Sequence, residues 1–199
     1  GLYLKTSVGG HWGAELKFAG YDYLMIEGRA PKPVYLVIRD GEVEIRDAAD
    51  LWGKDVRETT LAIEHAFQDP EVQVACIGPA GENRVLFASI MMNYYNAAAR
   101  GGVGAVMGSK NLKAVAVRGH GRITVARPEE FRKAVYEAIE ASYQDFSAKT
   151  SYLYGTSASV AVINELGSFP SFNFRSGRID NAEKISGPYL VEAGYLKRR

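Results

Sequence analysis

Gly101-Gly102-Val103-Gly104-Ala105 begins the stretch that decides the fold, because this glycine-rich loop leads into Lys113–Gly119, a strand-like run closed by glycine. The same plan occurs earlier, where Gly9-Gly10-His11-Trp12-Gly13-Ala14 precedes Tyr21–Gly28 with the same spacing between the corresponding glycines. Glycine is used where the backbone takes positive φ or another group approaches the main chain closely. Two related loops predict either one ligand gripped by two backbone arms, two copies of one ligand, or a duplicated pair of tight turns.

The remaining pattern predicts an α+β fold in which a duplicated β-rich N-terminal base domain is followed by the beginning of a helical domain. We expect the domain boundary near Thr124, giving domains at residues 1–124 and 125–199. Because the chain opens on Gly1, we expect the first domain to lack its N-terminal start. β-Branched and aromatic runs predict strands, and wider apolar spacing predicts helices. The predicted strands are Tyr21–Gly28, Pro33–Arg39, Val43–Arg46, Val72–Ile77, Val85–Met91 and Lys113–Gly119, and the predicted helices are Asp55–Phe67, Pro128–Lys149, Ser157–Leu166 and a segment from Ser186 toward Arg199.

Composition excludes several classes of protein. A formal net charge of +1 over 199 residues leaves no overall field to attract nucleic acid or an anionic membrane, and the strongly basic run Lys197–Arg199 is short. No apolar run is long enough to span a bilayer. The lone Cys76 excludes an internal disulfide and a cysteine metal cluster built by this chain alone. We therefore expect a cytoplasmic protein that binds neither nucleic acid nor membrane.

Few polar residues form a site pattern. Asn96 and Arg100 flank three alanines, which fits either an amide and guanidinium clamp on a flat polar ligand or a solvated helix surface. Trp12 fits either stacking on a planar ligand or packing. The histidines lack metal-ligand spacing, and only His11 lies near a candidate site. No catalytic triad, carboxylate pair or nucleotide-binding fingerprint is present.

Three blocks in order resemble the aldehyde ferredoxin oxidoreductase family. They are Gly9–Asp22, Ile77-Gly78-Pro79-Ala80-Gly81-Glu82-Asn83 and Arg100–Ala114, which contains Gly101-Gly102-Val103-Gly104-Ala105-Val106-Met107-Gly108-Ser109-Lys110-Asn111-Leu112-Lys113. Residues 126–199 resemble more loosely the start of the family's helical second domain. The resemblance implies a base domain that supports tungsten, or molybdenum, held by two pterins whose phosphates are joined through magnesium.

The resemblance also implies particular contacts. The first arm falls on Ser7, Gly9 and Gly10, and the second on Asn96, Ala97, Ala99, Arg100 and Gly101, with the backbone carbonyls of Ser7 and Ala97 serving magnesium. The family commonly has Asn, Arg and Gly where this chain has Ser7, Asn96 and Ala99. Losing an arginine weakens phosphate neutralisation. We expect Arg100 to compensate.

The chemistry implied by the family is oxidation of an aldehyde with water to a carboxylate. Electrons would pass through a [4Fe-4S] cluster to ferredoxin or an electron-transfer subunit, in an oligomeric enzyme. Cluster ligands are cysteines, and we expect them, with the acid and base residues, beyond Arg199. The 199 residues alone are therefore expected to be inactive, and no catalytic residue is assigned to them. Two alternatives stay open: an aryl-thioester reductase subunit of the benzoyl-CoA type, and a noncatalytic scaffold.

Overall fold

A mixed sheet organises the first part of the chain. Its six strands are β1 Val34–Arg39, β2 Glu42–Asp47, β3 Gln73–Cys76, β4 Ile90–Met92, β5 Asn96–Ala98 and β6 Leu112–Arg118, in the spatial order β2-β1-β6-β3-β4-β5. Strands β1 and β6 are parallel, and the other neighbours are antiparallel. The structure is a computed structural model that describes residues 3–195, so Lys197–Arg199 lies outside the described residues. The chain divides into two compact units between Thr124 and Val125.

In the described part of this first unit, four α-helices accompany the sheet, together with a short 3-10 helix at Ala49–Leu51: α1 Trp12–Phe18, α2 Val56–Phe67, α3 Pro79–Glu82 and α4 Val103–Ser109. Helix α2 covers one face, where Ile63 packs among residues such as Val74 and Ala116. Helices α1 and α4 cover the other face through Leu16 and Met107. Asp55 and Glu58 form a capping box at the start of α2, which satisfies backbone N–H groups that a helix terminus leaves free. These layers confirm the α+β prediction.

The strand predictions hold for the centre of the sheet and fail at two segments. Strands β1, β2 and β6 match their predicted ranges, and the Asp40-Gly41 turn between β1 and β2 has positive φ at both residues, as the twist of a hairpin favours. Tyr21–Gly28 is not a strand, because no described segment pairs with its backbone. The duplication is therefore a loop followed by a helix in both copies, with a strand in the second copy only.

The prediction of a strand at Val85–Met91 is also wrong over most of its length. Residues 85–89 form turns that run beside α4, and β4 begins only at Ile90. A carbonyl oxygen of this segment bonds to α4 instead of to a neighbouring strand: the Ala88 carbonyl accepts the Gly104 N–H at 2.9 Å. The turn-rich segment before them, Gly78–Asn83, contains the short helix α3, with Pro79 at a position where its missing N–H costs nothing.

The second unit, Val125–Arg199, is helical in its described part. It contains α5 Pro128–Gln144, α6 Phe146–Tyr154, α7 Val160–Glu165 and α8 Gly187–Glu192, with short 3-10 helices at Gly155–Ser159 and Ala182–Ile185. The helix predicted to reach Lys149 is interrupted at Asp145, whose carboxylate accepts the Ala148 N–H and so starts a new helix. Within residues 3–195, no helix is both long enough and apolar enough to cross a bilayer.

An arginine at the end of β6 ties the two glycine-loop copies together. The Arg118 guanidinium donates to Glu15 of α1 at 2.8 Å and to Asp69 at 2.6 Å, and it also pairs with Glu71. Glu15 is 8% exposed and accepts the Gly119 N–H at 2.9 Å as well. Glu15, which belongs to the first family block, therefore fixes α1 against the strand that ends the second copy.

We expect this network to weaken at low pH. The Arg118 guanidinium, followed by the Glu71 N–H, lowers the pKa of Asp69 below its usual 3.8. A lowered pKa contributes stability that is present above 3.8 and lost as pH falls through the folded-state value. Asp69→Asn should cost about 1 kcal/mol at pH 7, with the difference from wild type shrinking below pH 4, as measured by urea unfolding at a series of pH values. A difference that grows on acidification would contradict this.

Candidate functional site

The two arms predicted from the sequence lie against each other. The Asn96 side chain covers the Gly9-Gly10 backbone: a Cβ built on Gly9 would lie 3.2 Å from Asn96 Nδ2, and one built on Gly10 would lie 3.0 Å from Asn96 Oδ1. The Leu4 side chain packs on Gly101 in the same way, 2.3 Å from where a Cβ would be. The structure thus brings together backbone segments that are separated by most of the first unit.

Positive φ angles explain the glycines in the arms. Gly10 has φ 92°, Gly101 has φ 84° and Gly102 has φ 75°, in the left-handed region that only glycine adopts readily. Gly102 has a second constraint, since a Cβ on it would lie 2.0 Å from the Leu86 carbonyl oxygen. Gly9, Gly10 and Gly101 stay exposed to solvent, although the Asn96 and Leu4 side chains cover one side of them. Exposed main chain is the kind of surface that a ligand bound through backbone groups requires.

The glycines inside α4 allow close packing of the helix and do not have positive φ. A Cβ on Gly104 would lie 2.5 Å from the Ser89 oxygen, and one on Gly108 would lie 1.9 Å from the Gly81 oxygen. Residues four apart share one face of a helix. Gly104 and Gly108 therefore let α4 pack directly on α3 and the turn after it, and they support the second arm without lining it.

The second arm begins at the edge of the sheet. Strand β5 pairs only with β4 among the described strands, with Ala97 opposite Met91, so its outer edge has backbone groups without a strand partner. Ala99 and Arg100 are exposed beyond it, and Ser7 is exposed on the first arm. Among residues 3–195, no cluster of three His, Cys, Asp or Glu side chains is placed to hold a metal. Magnesium bound through backbone carbonyls requires no such cluster.

Arg100 is a cation available at the second arm. It is exposed and forms no ion pair with any residue that the structure describes, in contrast to Arg118, which contacts three carboxylates. A free guanidinium beside exposed backbone suits a phosphate. The exposed backbone and this cation suit a ligand that carries phosphate, although Asn96 brings no positive charge.

The aromatic and histidine candidates do not join the arms. The Trp12 indole N–H donates to the Val115 carbonyl at 3.1 Å and the ring packs in the core, so the packing alternative is correct. His65 is an exposed residue of α2. His120 contacts Asp40, and the side chain of His11 is exposed next to α1.

Sequence reasoning missed a buried ion pair beneath the second arm. Lys113 of β6 is fully buried, and its ammonium contacts the Glu82 carboxylate of α3 and donates to the Lys54 carbonyl at 2.8 Å. Glu82 also accepts the Gly53 N–H, at 2.9 and 3.0 Å to its two oxygens. A lysine within the apolar run Leu112–Val117 was the available signal, because such a charge requires a partner.

The known proteins similar to this chain that we report are named as oxidoreductases or as parts of one. A family model described as the aldehyde ferredoxin oxidoreductase N-terminal domain matches residues 1–119. A tungsten-containing aldehyde ferredoxin oxidoreductase of Pyrococcus abyssi is 50% identical over the whole chain and 33% of its own length. An aliphatic sulfonate oxidoreductase WOR-like subunit of Pyrococcus furiosus is 40% identical over 94% of the chain and 31% of its own length. The chain spans about a third of the length of the curated relatives it matches.

A solved structure is similar as well. The chain matches the active site complex BamBC of benzoyl coenzyme A reductase in complex with 1,5-dienoyl-CoA, with a TM-score of 0.68 and 47% identity. The match covers 70% of this chain and 21% of that one.

Proposed function

Since the chain belongs to the aldehyde ferredoxin oxidoreductase family, we propose that residues 1–124 are the cofactor-binding domain of a tungsten bis-pterin oxidoreductase. The observation that carries the proposal is the contact between the two arms, in which Asn96 covers Gly9 and Gly10. A cofactor made of two similar halves suits two similar arms. Tungsten is preferred to molybdenum because the relatives of highest identity among those compared are named as tungsten-containing.

Each arm contributes backbone in this proposal. Ser7, Gly9 and Gly10 would hold one pterin, and Asn96 to Gly101 would hold the other. The backbone carbonyls of Ser7 and Ala97 would be ligands of magnesium. The positive φ of Gly10 and Gly101 sets the path of the backbone in each arm. When bound, the metal supplies two-electron redox chemistry. The chain's own role is to position the cofactor and to neutralise phosphate charge through Arg100.

The remaining features of the enzyme belong to the same proposal. We place the [4Fe-4S] ligands and the acid and base residues in the part of the protein that these residues do not include, and ferredoxin or an electron-transfer subunit as the electron acceptor. Residues 125–199 begin the second, helical domain. The enzyme is also proposed to be oligomeric and cytoplasmic. A reducing compartment such as the cytoplasm fits the single Cys76, because burial raises its pKa to about 11 and keeps it a thiol.

The two candidate activities, aldehyde oxidation and aryl-thioester reduction, differ in their substrate. An aldehyde is the first choice because several relatives at 47–50% identity are named as aldehyde oxidoreductases. The benzoyl-CoA reductase structure, at 47% identity, favours an aryl thioester as the second. An anaerobic assay of the full-length protein separates them: dye reduction with aldehydes supports the first, and reduction of an aryl thioester by a low-potential donor supports the second. Activity with neither substrate would favour a noncatalytic scaffold.

Arg100→Ala is expected to weaken cofactor retention about tenfold, because a charge-assisted hydrogen bond to phosphate contributes about 1.5–3 kcal/mol. The measurement is tungsten per chain in full-length protein after extended dialysis. Arg57→Ala is the matched control, since Arg57 is an exposed arginine of α2, on the sheet face opposite α1 and α4. Full occupancy in Arg100→Ala would show that Arg100 does not compensate for the arginine missing at position 96.

A further inference from the structure

Lys113 lies at an irregularity in β6. The register between β1 and β6 runs from Val34 opposite Leu112 to Tyr35 opposite Ala114, which leaves Lys113 as an extra residue without a partner in β1. A bulge of this kind turns one side chain away from the direction that strand alternation gives it. Both faces of β6 are covered here, so the lysine lies in the interior and none of its side chain is exposed.

The buried charge has two fixed partners. The ammonium of Lys113 contacts Glu82 and the Lys54 carbonyl, and the Glu82 carboxylate, 5% exposed, accepts the Gly53 N–H. A buried pair contributes little net stability compared with apolar residues, because desolvating both charges is costly. Directional bonds to two backbone groups fix position instead, and they fix α3 relative to β6.

Helix α3 in turn fixes the second arm. The Gly81 carbonyl packs on Gly108, and the site of a Cβ on Gly81 is 3.1 Å from the Gly104 oxygen. The turn that follows Glu82 contacts the start of α4 twice: the Leu86 carbonyl lies against Gly102, and Ala88 accepts the Gly104 N–H. The ion pair is thus linked through short backbone contacts to Gly102 and Gly104, which directly follow the end of the second arm.

We propose that the Lys113–Glu82 ion pair is a positioning device for the second arm. It holds residues 79–88 in one place and thereby sets the Gly101-Gly102 backbone, while neither charged residue touches the cofactor. That the arm supports a cofactor rests on the proposed function. The claim that the ion pair orders the arm does not rest on the proposed function, so experiments can test the two claims separately.

The test uses the full-length protein with both charges removed, in Lys113→Met/Glu82→Gln. This variant keeps the side-chain shapes and a hydrogen-bond acceptor for Gly53. Hydrogen exchange is followed by mass spectrometry in a peptide covering residues 99–109, with peptides of α2 and α5 as internal references. We expect exchange to rise at least about tenfold in residues 99–109 while the references stay unchanged, because the opening is local. Tungsten is expected to leave this variant faster than wild type.

The matched control is Lys32→Met/Asp47→Asn, which removes an exposed pair in the same unit. Glu82→Asp is the second variant in case the first does not fold, and it should give the same local increase because it shortens the carboxylate's reach. Exchange in residues 99–109 equal to that of the control, in every variant that folds, would overturn the positioning role. If wild-type protein holds neither tungsten nor pterin, the proposed function fails, and the exchange result still decides whether the pair orders the arm.

Discussion

Gly108→Ala is expected to destabilise the first unit by about 3 kcal/mol, at the upper end of the cost of overpacking. The new Cβ would lie 1.9 Å from the Gly81 oxygen and 2.7 Å from its carbonyl carbon, and these are backbone atoms that cannot rotate away. Helices α3 and α4 would have to separate, and the end of the second arm, which leads into α4, would move with them. Denaturant unfolding of the full-length protein, followed by circular dichroism, measures the change.

Gly13→Ala is the matched control for this substitution. Gly13 lies in α1 and corresponds to Gly104 in the other copy, yet a Cβ on it would meet nothing within 4 Å. Alanine in a helix is favoured over glycine by about 0.5–1 kcal/mol. Gly13→Ala should therefore leave stability unchanged or raise it. Equal effects at the two positions would contradict the close packing of α3 on α4.

Lys113→Met should have the second large effect, a loss of about 3–5 kcal/mol, because it leaves the Glu82 carboxylate buried without its cation. Lys32→Met, which removes one partner of the exposed Lys32–Asp47 pair, should cost no more than about 1 kcal/mol. Chemical unfolding of both variants at pH 7 gives the comparison. Similar losses in the two would show that the Lys113 pair is no more important to stability than a surface pair.

The main strands of the sheet could be predicted from sequence, because their residue pattern and their packing in the fold favour the same structure. Strand β6 is apolar at nearly every residue and is buried throughout its centre, and α2 carries both its capping residues and its apolar stripe. The Asp40-Gly41 turn has residues that tolerate positive φ. At these places, what the residues favour locally is also what packing requires.

The failures occur where pairing depends on distant segments. Tyr21–Gly28 has strand composition, but strand propensity expresses packing against neighbours, and no described neighbour pairs with it. Residues 85–89 are apolar yet form turns, because their carbonyls contact the glycines of α4. The apolar periodicity of a segment does not show which distant residues its carbonyl groups will contact. The break at Asp145 was visible as a capping residue, but the apolar pattern continued across it.

The site was predictable in outline and not in detail. Repeated glycine loops identified both arms, but the packing of Asn96 on Gly10 depends on a fold that joins residues far apart in the chain. Both Glu82 and Lys113 lie in the family blocks, and nothing in their spacing pairs them. The cofactor contacts expected of both arms stay predictions, at Ser7, Gly9, Gly10, Asn96, Ala97, Ala99, Arg100 and Gly101.

The metal and pterin content of the full-length protein, purified without oxygen, tests the central claim most directly. Elemental analysis together with fluorescence of the oxidised pterin gives both quantities on one sample. The cofactor proposal predicts tungsten and pterin in a ratio of about one to two, retained through gel filtration, with the amount reduced in Arg100→Ala. A folded protein that contains no tungsten, molybdenum or pterin would contradict it and leave the glycine arms as a scaffold.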